Sequence, residues 1–302
     1  MEYRQLGKTA LKVSSIGLGC VTFGREIDEA TSFTIMDHAL SRGINLFDTA
    51  EAYGGGASEA TVGKWLKASG KRDDVVVCTK VSGNLTSERI LTSAEASLKR
   101  LNVDTIDLFQ LHRFDPDVPI EEMLEALNQV VEKGYARHIG CSNFAAWQLA
   151  KSLWKQDVGG LARLESVQPI YNLVDRGIEQ ELIPLCKDQE VGIVSYSPLG
   201  AGFLTGKYRR DGEVPKGTRF DVIPGHQGIY FTETGWRVME GLRAQSEATG
   251  ISMIQLALAW TIGQPGITCV LVGARNTGQV DQAFEAETLG MDDDVRSALN
   301  QL

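Results

Sequence analysis

Short apolar runs alternate with amphipathic stretches along the chain, and the alternation repeats eight times. The runs fall at residues 15–20, 44–47, 75–79, 105–111, 138–141, 165–170, 192–195 and 268–272. Each is short and rich in Val and Ile, as expected of a strand buried on both faces of a parallel sheet. The intervening stretches carry the helical period: Val62, Trp65 and Leu66 share one face, as do Leu124, Leu127, Val130 and Val131. Pro119 suits a helix start and Gly134 the position just past a helix end. Ser252 with Gln255 three residues on forms a capping box that would open a helix over 253–262.

Eightfold strand–helix alternation over about 260 residues predicts an α/β fold, a (β/α)8 TIM barrel built from right-handed βα units. The competing open sheet would carry a GxGxxG fingerprint after its first strand. Gly17-Leu18-Gly19 begins that motif, but Thr22 stands where the third glycine is needed. Two segments fall outside the repeat. Residues 3–13, with Gly7-Lys8 between two short runs, predict an N-terminal β-hairpin closing the barrel floor. Residues 200–231, after the seventh strand, lack periodicity, and a loop of that length is expected to act as a lid or binding loop. No low-complexity linker interrupts the chain, so residues 1–302 read as one barrel domain.

Composition is ordinary for a globular protein, at 43% hydrophobic and 23% charged over 302 residues. A net charge of −9 argues against nucleic acid as the main partner. An anionic cofactor would need a local positive pocket instead. Five cysteines, odd in number and without a CxxC pair, read as reduced and mostly buried. Met1-Glu2-Tyr3-Arg4 lacks a secretory pattern and no apolar run reaches membrane-spanning length, so a cytoplasmic protein with no membrane association is expected. No His/Cys cluster has metal spacing, so no metal is expected. His38 and His138 read as helix-surface and strand positions without partners.

The chemistry gathers where a TIM barrel places its active site, at the C-terminal strand ends. Asp48 closes the second strand, with Tyr53 in the loop beyond, Lys80 closes the third and His112 the fourth. Ser142-Asn143 follow the fifth, Gln168 the sixth, Tyr196-Ser197 the seventh and Gly273-Ala274-Arg275 the eighth. Alone, Asp48 would be a turn cap, Lys80 a solvated lysine and His112 a structural histidine. Together at one rim they form a coherent set. A tyrosine titrates near 10, and a nearby ammonium would lower that value toward neutrality. Asp48 would keep Lys80 charged, and His112 would hydrogen-bond a substrate carbonyl. Such a set suits proton delivery to an oxygen as hydride reaches its carbon.

The motifs carrying these residues resemble the aldo-keto reductase family. They are Asn45-Leu46-Phe47-Asp48-Thr49-Ala50-Glu51-Ala52-Tyr53-Gly54, Ser58-Glu59, Leu111-His112-Arg113 and Gly140-Cys141-Ser142-Asn143-Phe144. Gln168-Pro169-Ile170-Tyr171-Asn172, Tyr196-Ser197-Pro198-Leu199-Gly200 and Gly273-Ala274-Arg275-Asn276 extend the resemblance over nearly the whole chain. It implies a tetrad of Asp48, Tyr53, Lys80 and His112, with Tyr53 as general acid in reduction and base in oxidation. It further implies that Ser142, Asn143 and Gln168 hold a nicotinamide carboxamide while the ring stacks on Tyr196. Backbone groups of Ser197, Leu199, Gly200 and Gly273 would lie near the cofactor, Lys207 would reach its pyrophosphate, and Arg275 and Gln279 would lie at its adenosine end. NADPH is the cofactor this favours, with NADH the second candidate. The partner would be a small-molecule carbonyl substrate, whether the chain acts as a monomer or a homo-oligomer. The sequence departs from the family at Gln282 and Ala283, where a Glu-Asn pair usually binds adenine. Arg275 still offers a forked guanidinium to a 2′-phosphate.

Phe23, after the first strand, is a candidate substrate contact, and Phe220, Tyr230, Phe231 and Trp236 would supply aromatic walls from the long loop. Gly206-Lys207 resembles part of a P-loop, but Ala201 and Tyr208 break that motif. Two competing functions stand beside the reductase reading. One is a Schiff-base aldolase with Lys80 as nucleophile, which the neighbouring Asp48 disfavours by keeping the amine protonated. The other is a redox-sensing channel partner, of a kind that carries an N-terminal extension ahead of the hairpin predicted here.

Overall fold

The computed structural model describes residues 1–302. Two short strands, β1 (Tyr3–Gln5) and β2 (Lys12–Ser14), pair antiparallel with Arg4 opposite Val13. Eight further strands follow: β3 (Ile16–Gly19), β4 (Leu46–Asp48), β5 (Val76–Val81), β6 (Ile106–Leu111), β7 (Ala136–Ser142), β8 (Leu164–Gln168), β9 (Gly192–Ser195) and β10 (Cys269–Gly273). They are parallel, each pairs with the next, and β10 returns to β3, so the sheet closes into a barrel. Each of the eight predicted runs overlaps one of these strands. The chain is an eight-stranded (β/α)8 barrel with an N-terminal hairpin.

Helices occupy the connections for the reasons the sequence gives. Ile120–Glu132 starts directly after Pro119, and Gly134 follows its end with φ of 72°. Met253–Ile262 opens on the Ser252–Gln255 capping box in both directions. Helix Ala57–Ser69 buries Val62, Trp65 and Leu66, and Trp65 packs 5.3 Å from the Phe47 ring of β4. No helix is long and apolar enough to cross a membrane.

Alternation along the strands divides the barrel interior into two levels. The lower level is apolar: Leu46, Val76, Cys78, Leu108, Val194, Cys269 and Leu271 cluster there. Leu6 and Val13 of the hairpin join that cluster, so the hairpin does plug the floor. Continuing the same inward parity upward gives Asp48, Lys80, Gln110 and Gln168, all buried. Period-2 patterning thus carries each strand from hydrocarbon at the floor to polar groups at the mouth.

Residues 200–231 have more order than their sequence suggests. They contain single-turn helices at Gly200–Thr205, Arg219–Val222, Pro224–His226 and Gln227–Tyr230. Phe203 lies 5.9 Å from Tyr230 and 5.0 Å from Trp236, and Tyr208 lies 4.9 Å from Phe220. Phe203, Tyr208, Phe220, Tyr230 and Trp236 are all buried. The expected aromatic wall is instead the segment's own core, because these rings bury more area against one another than they would facing a pocket.

Helix Ala57–Ser69 approaches the next helix, Ser87–Leu101, through Gly63. A Cβ there would sit 2.4 Å from the Arg100 carbonyl oxygen and 2.6 Å from the Leu101 carbonyl carbon, both backbone atoms. Gly63→Ala should therefore destabilise the fold by about 1–3 kcal/mol despite its better helix propensity. Urea unfolding midpoints measure this, and an unchanged or raised midpoint would contradict the close contact.

Candidate active site

The barrel mouth brings the four predicted residues together. Asp48 ends β4, Lys80 is the penultimate residue of β5, and His112 directly follows β6. Tyr53 opens the short turn Tyr53–Gly56 beyond β4. Lys80 is completely buried, and its Nζ donates to Asp48 Oδ2 at 2.7 Å and to the Thr49 carbonyl at 2.8 Å. The same Nζ lies 5.1 Å from the Tyr53 ring centroid. The Tyr53 and His112 rings meet edge to face with centroids 5.7 Å apart.

Charge states follow from these contacts. Burial pulls the Lys80 pKa down, but Asp48 and the Tyr53 and Cys78 side chains outweigh it, so the ammonium is held charged well above its ordinary range. A buried lysine paired in this way is a poor nucleophile, which removes the structural basis for a Schiff-base aldolase. His112 moves the other way: burial, then the Lys80 charge, lowers its pKa to about 4, so its imidazole is neutral near pH 7. Tyr53 departs from the simple expectation of a lowered value. Burial raises its pKa, and the Lys80 charge only partly offsets that, so the free protein carries the neutral phenol.

A hydrogen-bonded chain continues from the tetrad across the barrel. Gln168 Nε2 donates to Asp48 Oδ1 at 2.8 Å and to Gln110 Oε1 at 3.2 Å, and Gln110 donates in turn to Ser166 Oγ at 2.9 Å. Ser142 Oγ donates to the Gln168 carbonyl at 2.8 Å. Asn143 adopts φ of 57°, a conformation asparagine tolerates better than most residues. Its amide donates to the His112 carbonyl at 3.0 Å and its oxygen accepts from Tyr196 at 2.8 Å. Ser142, Asn143, Gln168 and Tyr196 therefore form one connected side of the mouth, and the Tyr196 ring is only partly buried.

The adjoining arc of the mouth, beyond β10 and β3, is positive. Arg275, after β10, reaches Glu26 Oε2 at 2.6 Å, and Arg219 from the long segment reaches Glu26 Oε1 at 3.1 Å. Arg25 pairs with the same carboxylate. Lys207 lies nearby; burial, then the charge of Arg275, lowers its pKa. Three cations thus pair with one carboxylate, and Lys207 stands near them, in a chain of net charge −9. Arg25, Glu26 and Arg219 were not legible as site residues from the sequence. Their positions follow no motif, and only folding the 200–231 segment over the mouth brings Arg219 to Glu26.

The other predicted contacts divide. The amides of Ser197 and Leu199 make no hydrogen bond within the protein, whereas that of Gly200 is bound to the Ser197 carbonyl at 2.9 Å. Gly273 lies open at the mouth, and Gln279 Oε1 accepts from the Arg275 amide at 2.8 Å, bracing that arginine. A dinucleotide's phosphates fit this donor set, with free amides at one edge and arginine forks at the other. Ala283 is fully buried on the inner face of helix Thr277–Thr288, so it packs against the barrel and cannot face a ligand, while Gln282 is exposed. Phe23 does not line the mouth as expected: it is wholly buried in the main core, where an aromatic ring after a strand gains more from packing. His38 has a partner after all, since Asp281 Oδ1 lies 2.8 Å from its Nε2.

Comparison with known proteins agrees with this geometry. The model of the aldo/keto reductase family matches residues 15–302. The chain is 37% identical to the aldo-keto reductase YhdN of Bacillus subtilis over 94% of its own length and 88% of that protein's. It is 33% identical to a probable voltage-gated potassium channel subunit beta of Arabidopsis thaliana, covering 95% of this chain and 91% of the relative. It is also 32% identical to the versiconal hemiacetal acetate reductase of Aspergillus parasiticus, over 94% and 91% of the two chains.

The His112 shift has a consequence for stability. The unfolded residue takes up a proton as pH falls through its ordinary 6.5, the folded one only near 4. Its contribution is complete above pH 6.5 and is lost as pH falls from there toward 4. Between pH 7 and pH 4.5 the wild type should lose about 2 kcal/mol more stability than His112→Gln. Equal losses in denaturant titrations at the two pH values would show that His112 is not held neutral.

Proposed function

The chain belongs to the aldo/keto reductase family of nicotinamide-dependent oxidoreductases, and on that premise we propose that it reduces an aldehyde or ketone to an alcohol with NADPH, Tyr53 being the proton donor. The observation that carries this reading is the buried Lys80 ammonium, fixed by Asp48 beneath a Tyr53 phenol that burial keeps protonated. When bound, the reduced nicotinamide supplies hydride to the carbonyl carbon. Tyr53 holds the balancing proton until negative charge develops on the substrate oxygen, then transfers it from its hydroxyl. The phenolate left behind is stabilised by the Lys80 charge, an interaction that strengthens only as the proton leaves. His112, neutral near pH 7, donates a hydrogen bond to the same oxygen and orients it without competing for the proton. Oxidation of an alcohol runs the same steps backwards, with Tyr53 as base.

The Gln168 Oε1, which accepts no hydrogen bond within the protein, is the acceptor for a carboxamide NH2, with Ser142 and Asn143 beside it. Tyr196 supplies the stacking face. Arg275, Arg219 and Lys207 receive the phosphates, and their charge supports NADPH over NADH even though Gln282 and Ala283 cannot reproduce an adenine-binding Glu-Asn pair. A cytoplasmic setting is part of this reading and is supported by five cysteines that are all free and buried.

Tryptophan-fluorescence titration with both nucleotides, followed by a screen of carbonyl substrates, tests the proposal. Tyr53→Phe should lower kcat by about 10²–10⁴-fold while the NADPH Kd stays unchanged. Failure of either nucleotide to bind, or full turnover by Tyr53→Phe, would sink it. In the same titration Arg275→Ala should weaken NADPH by about tenfold, the scale of one charge-assisted hydrogen bond, and NADH much less. Equal weakening of both would remove Arg275 from the phosphate site.

A further inference from the structure

Glu51 lies in the motif that carries Asp48 and Tyr53, yet it belongs to neither the tetrad nor the cofactor side. Its carboxylate is fully engaged. Oε1 accepts from the Ser82 amide at 2.7 Å and pairs with Arg89, and Oε2 accepts from Ser93 Oγ at 2.6 Å. Arg89 also donates to the Ser82 carbonyl at 3.1 Å. The Glu51–Arg89 pair therefore grips the Ser82 backbone from both its N–H and its C=O. One group at Ser82 remains, the hydroxyl, and it lies 2.8 Å from His112 Nδ1.

The direction of that contact and the choice of which His112 nitrogen carries the proton are one question. A neutral imidazole has one N–H and one lone pair, and the partner of one nitrogen sets the role of the other. The Ser82 hydroxyl has a single proton to place, and His112 Nδ1 is the only protein acceptor within its reach. With the hydroxyl donating, Nδ1 is the lone-pair nitrogen and Nε2 bears hydrogen. The reverse arrangement would leave the hydroxyl proton without a protein acceptor and present a lone pair on Nε2 toward the site, where it would repel a carbonyl oxygen. The His112 backbone is held as firmly, with its amide on the Val81 carbonyl at 2.9 Å and its carbonyl accepting from Asn143 at 3.0 Å.

We propose that Ser82, braced by Glu51 and Arg89, is a positioning residue that fixes His112 in its Nε2–H tautomer, leaving that N–H for the substrate oxygen. The catalytic part of this inference rests on the proposed reductase reading of His112, while the tautomer itself does not. Ser82 touches neither substrate nor cofactor and acts only through the imidazole.

The test is long-range 1H–15N correlation on the full chain labelled at histidine nitrogens, with His112→Gln used to assign the signals. Near pH 7 His112 should show an unprotonated Nδ1 and a protonated Nε2. Ser82→Ala should produce a mixture of tautomers, and Ser82→Thr, which keeps the hydroxyl, should restore the single form. In turnover with NADPH, Ser82→Ala should lower kcat about fivefold to tenfold without changing the NADPH Kd, the scale of one lost neutral hydrogen bond, and Ser82→Thr should recover most of it. A protonated Nδ1 in the wild type, or an unchanged tautomer in Ser82→Ala, would overturn the inference. The expected tautomers in a chain that reduces no carbonyl substrate would support the role of Ser82 and count against the proposed function alone.

Discussion

Everything at the barrel mouth depends on a lysine ammonium being kept charged with no access to water. Lys80 is wholly buried, and an isolated ammonium in that position would shed its proton rather than bear the desolvation cost. Asp48 prevents this at 2.7 Å, and the Thr49 carbonyl accepts a second hydrogen bond from the same group. Breaking such a pair by removing one partner typically costs about 3–5 kcal/mol, because the remaining charge has nowhere to go. The pair is therefore poor evidence for stability and good evidence for a use of the charge. In the proposed reading that use is at Tyr53, which lies 5.1 Å away by ring centroid, since a fixed cation lowers the cost of a phenolate only when the phenol ionises. In the resting protein burial dominates and Tyr53 stays protonated, the state a proton donor must start from.

The two sides of the mouth solve different electrostatic problems. On one side neutral amides and hydroxyls from Ser142, Asn143, Gln168 and Tyr196 bond to one another and to the tetrad, which fixes their orientation before any ligand arrives. On the other, Arg25, Arg219, Arg275 and Lys207 gather in a chain whose overall balance is acidic. Glu26 makes that gathering tolerable, since adjacent guanidinium groups without a counter-charge would repel one another. Because Arg219 comes from the 200–231 segment and Arg275 also donates to the Gly217 carbonyl at 3.3 Å, the positive cluster ties that segment to the barrel.

Much of this was legible in the sequence because barrel strands obey a period of two. Asp48, Lys80 and Gln168 could be placed at one level from their positions at the ends of apolar runs, and helix starts at Ile120 and Met253 from Pro119 and Ser252. What was not legible depended on contacts with no local signal. Arg25 and Glu26 follow no motif and Arg219 is far from both in the chain, so no spacing marks the three as neighbours. Phe23 and the aromatic residues of 200–231 were ambiguous for a different reason. An aromatic ring beside a mouth reads the same in sequence whether it faces the pocket or the core, and packing resolved it toward the core. The direction of the Tyr53 shift was likewise beyond the sequence, since it is the difference between burial and a neighbouring charge and needs both distances.

The apolar floor and the polar mouth are one device. Leu6 and Val13 of the hairpin close the barrel from below over Leu46, Val76, Cys78, Leu108 and Leu271, and Lys80 stands immediately above Cys78 on the same strand face. A sealed hydrocarbon floor keeps water from reaching the ammonium from beneath, so the effective dielectric around the pair stays low. Low dielectric strengthens the Lys80–Asp48 attraction and raises the penalty on a free phenolate at Tyr53 together, which in the proposed reading makes proton release conditional on charge developing at the mouth. The hairpin contributes no group to the site, yet it sets the medium in which every group of the site acts.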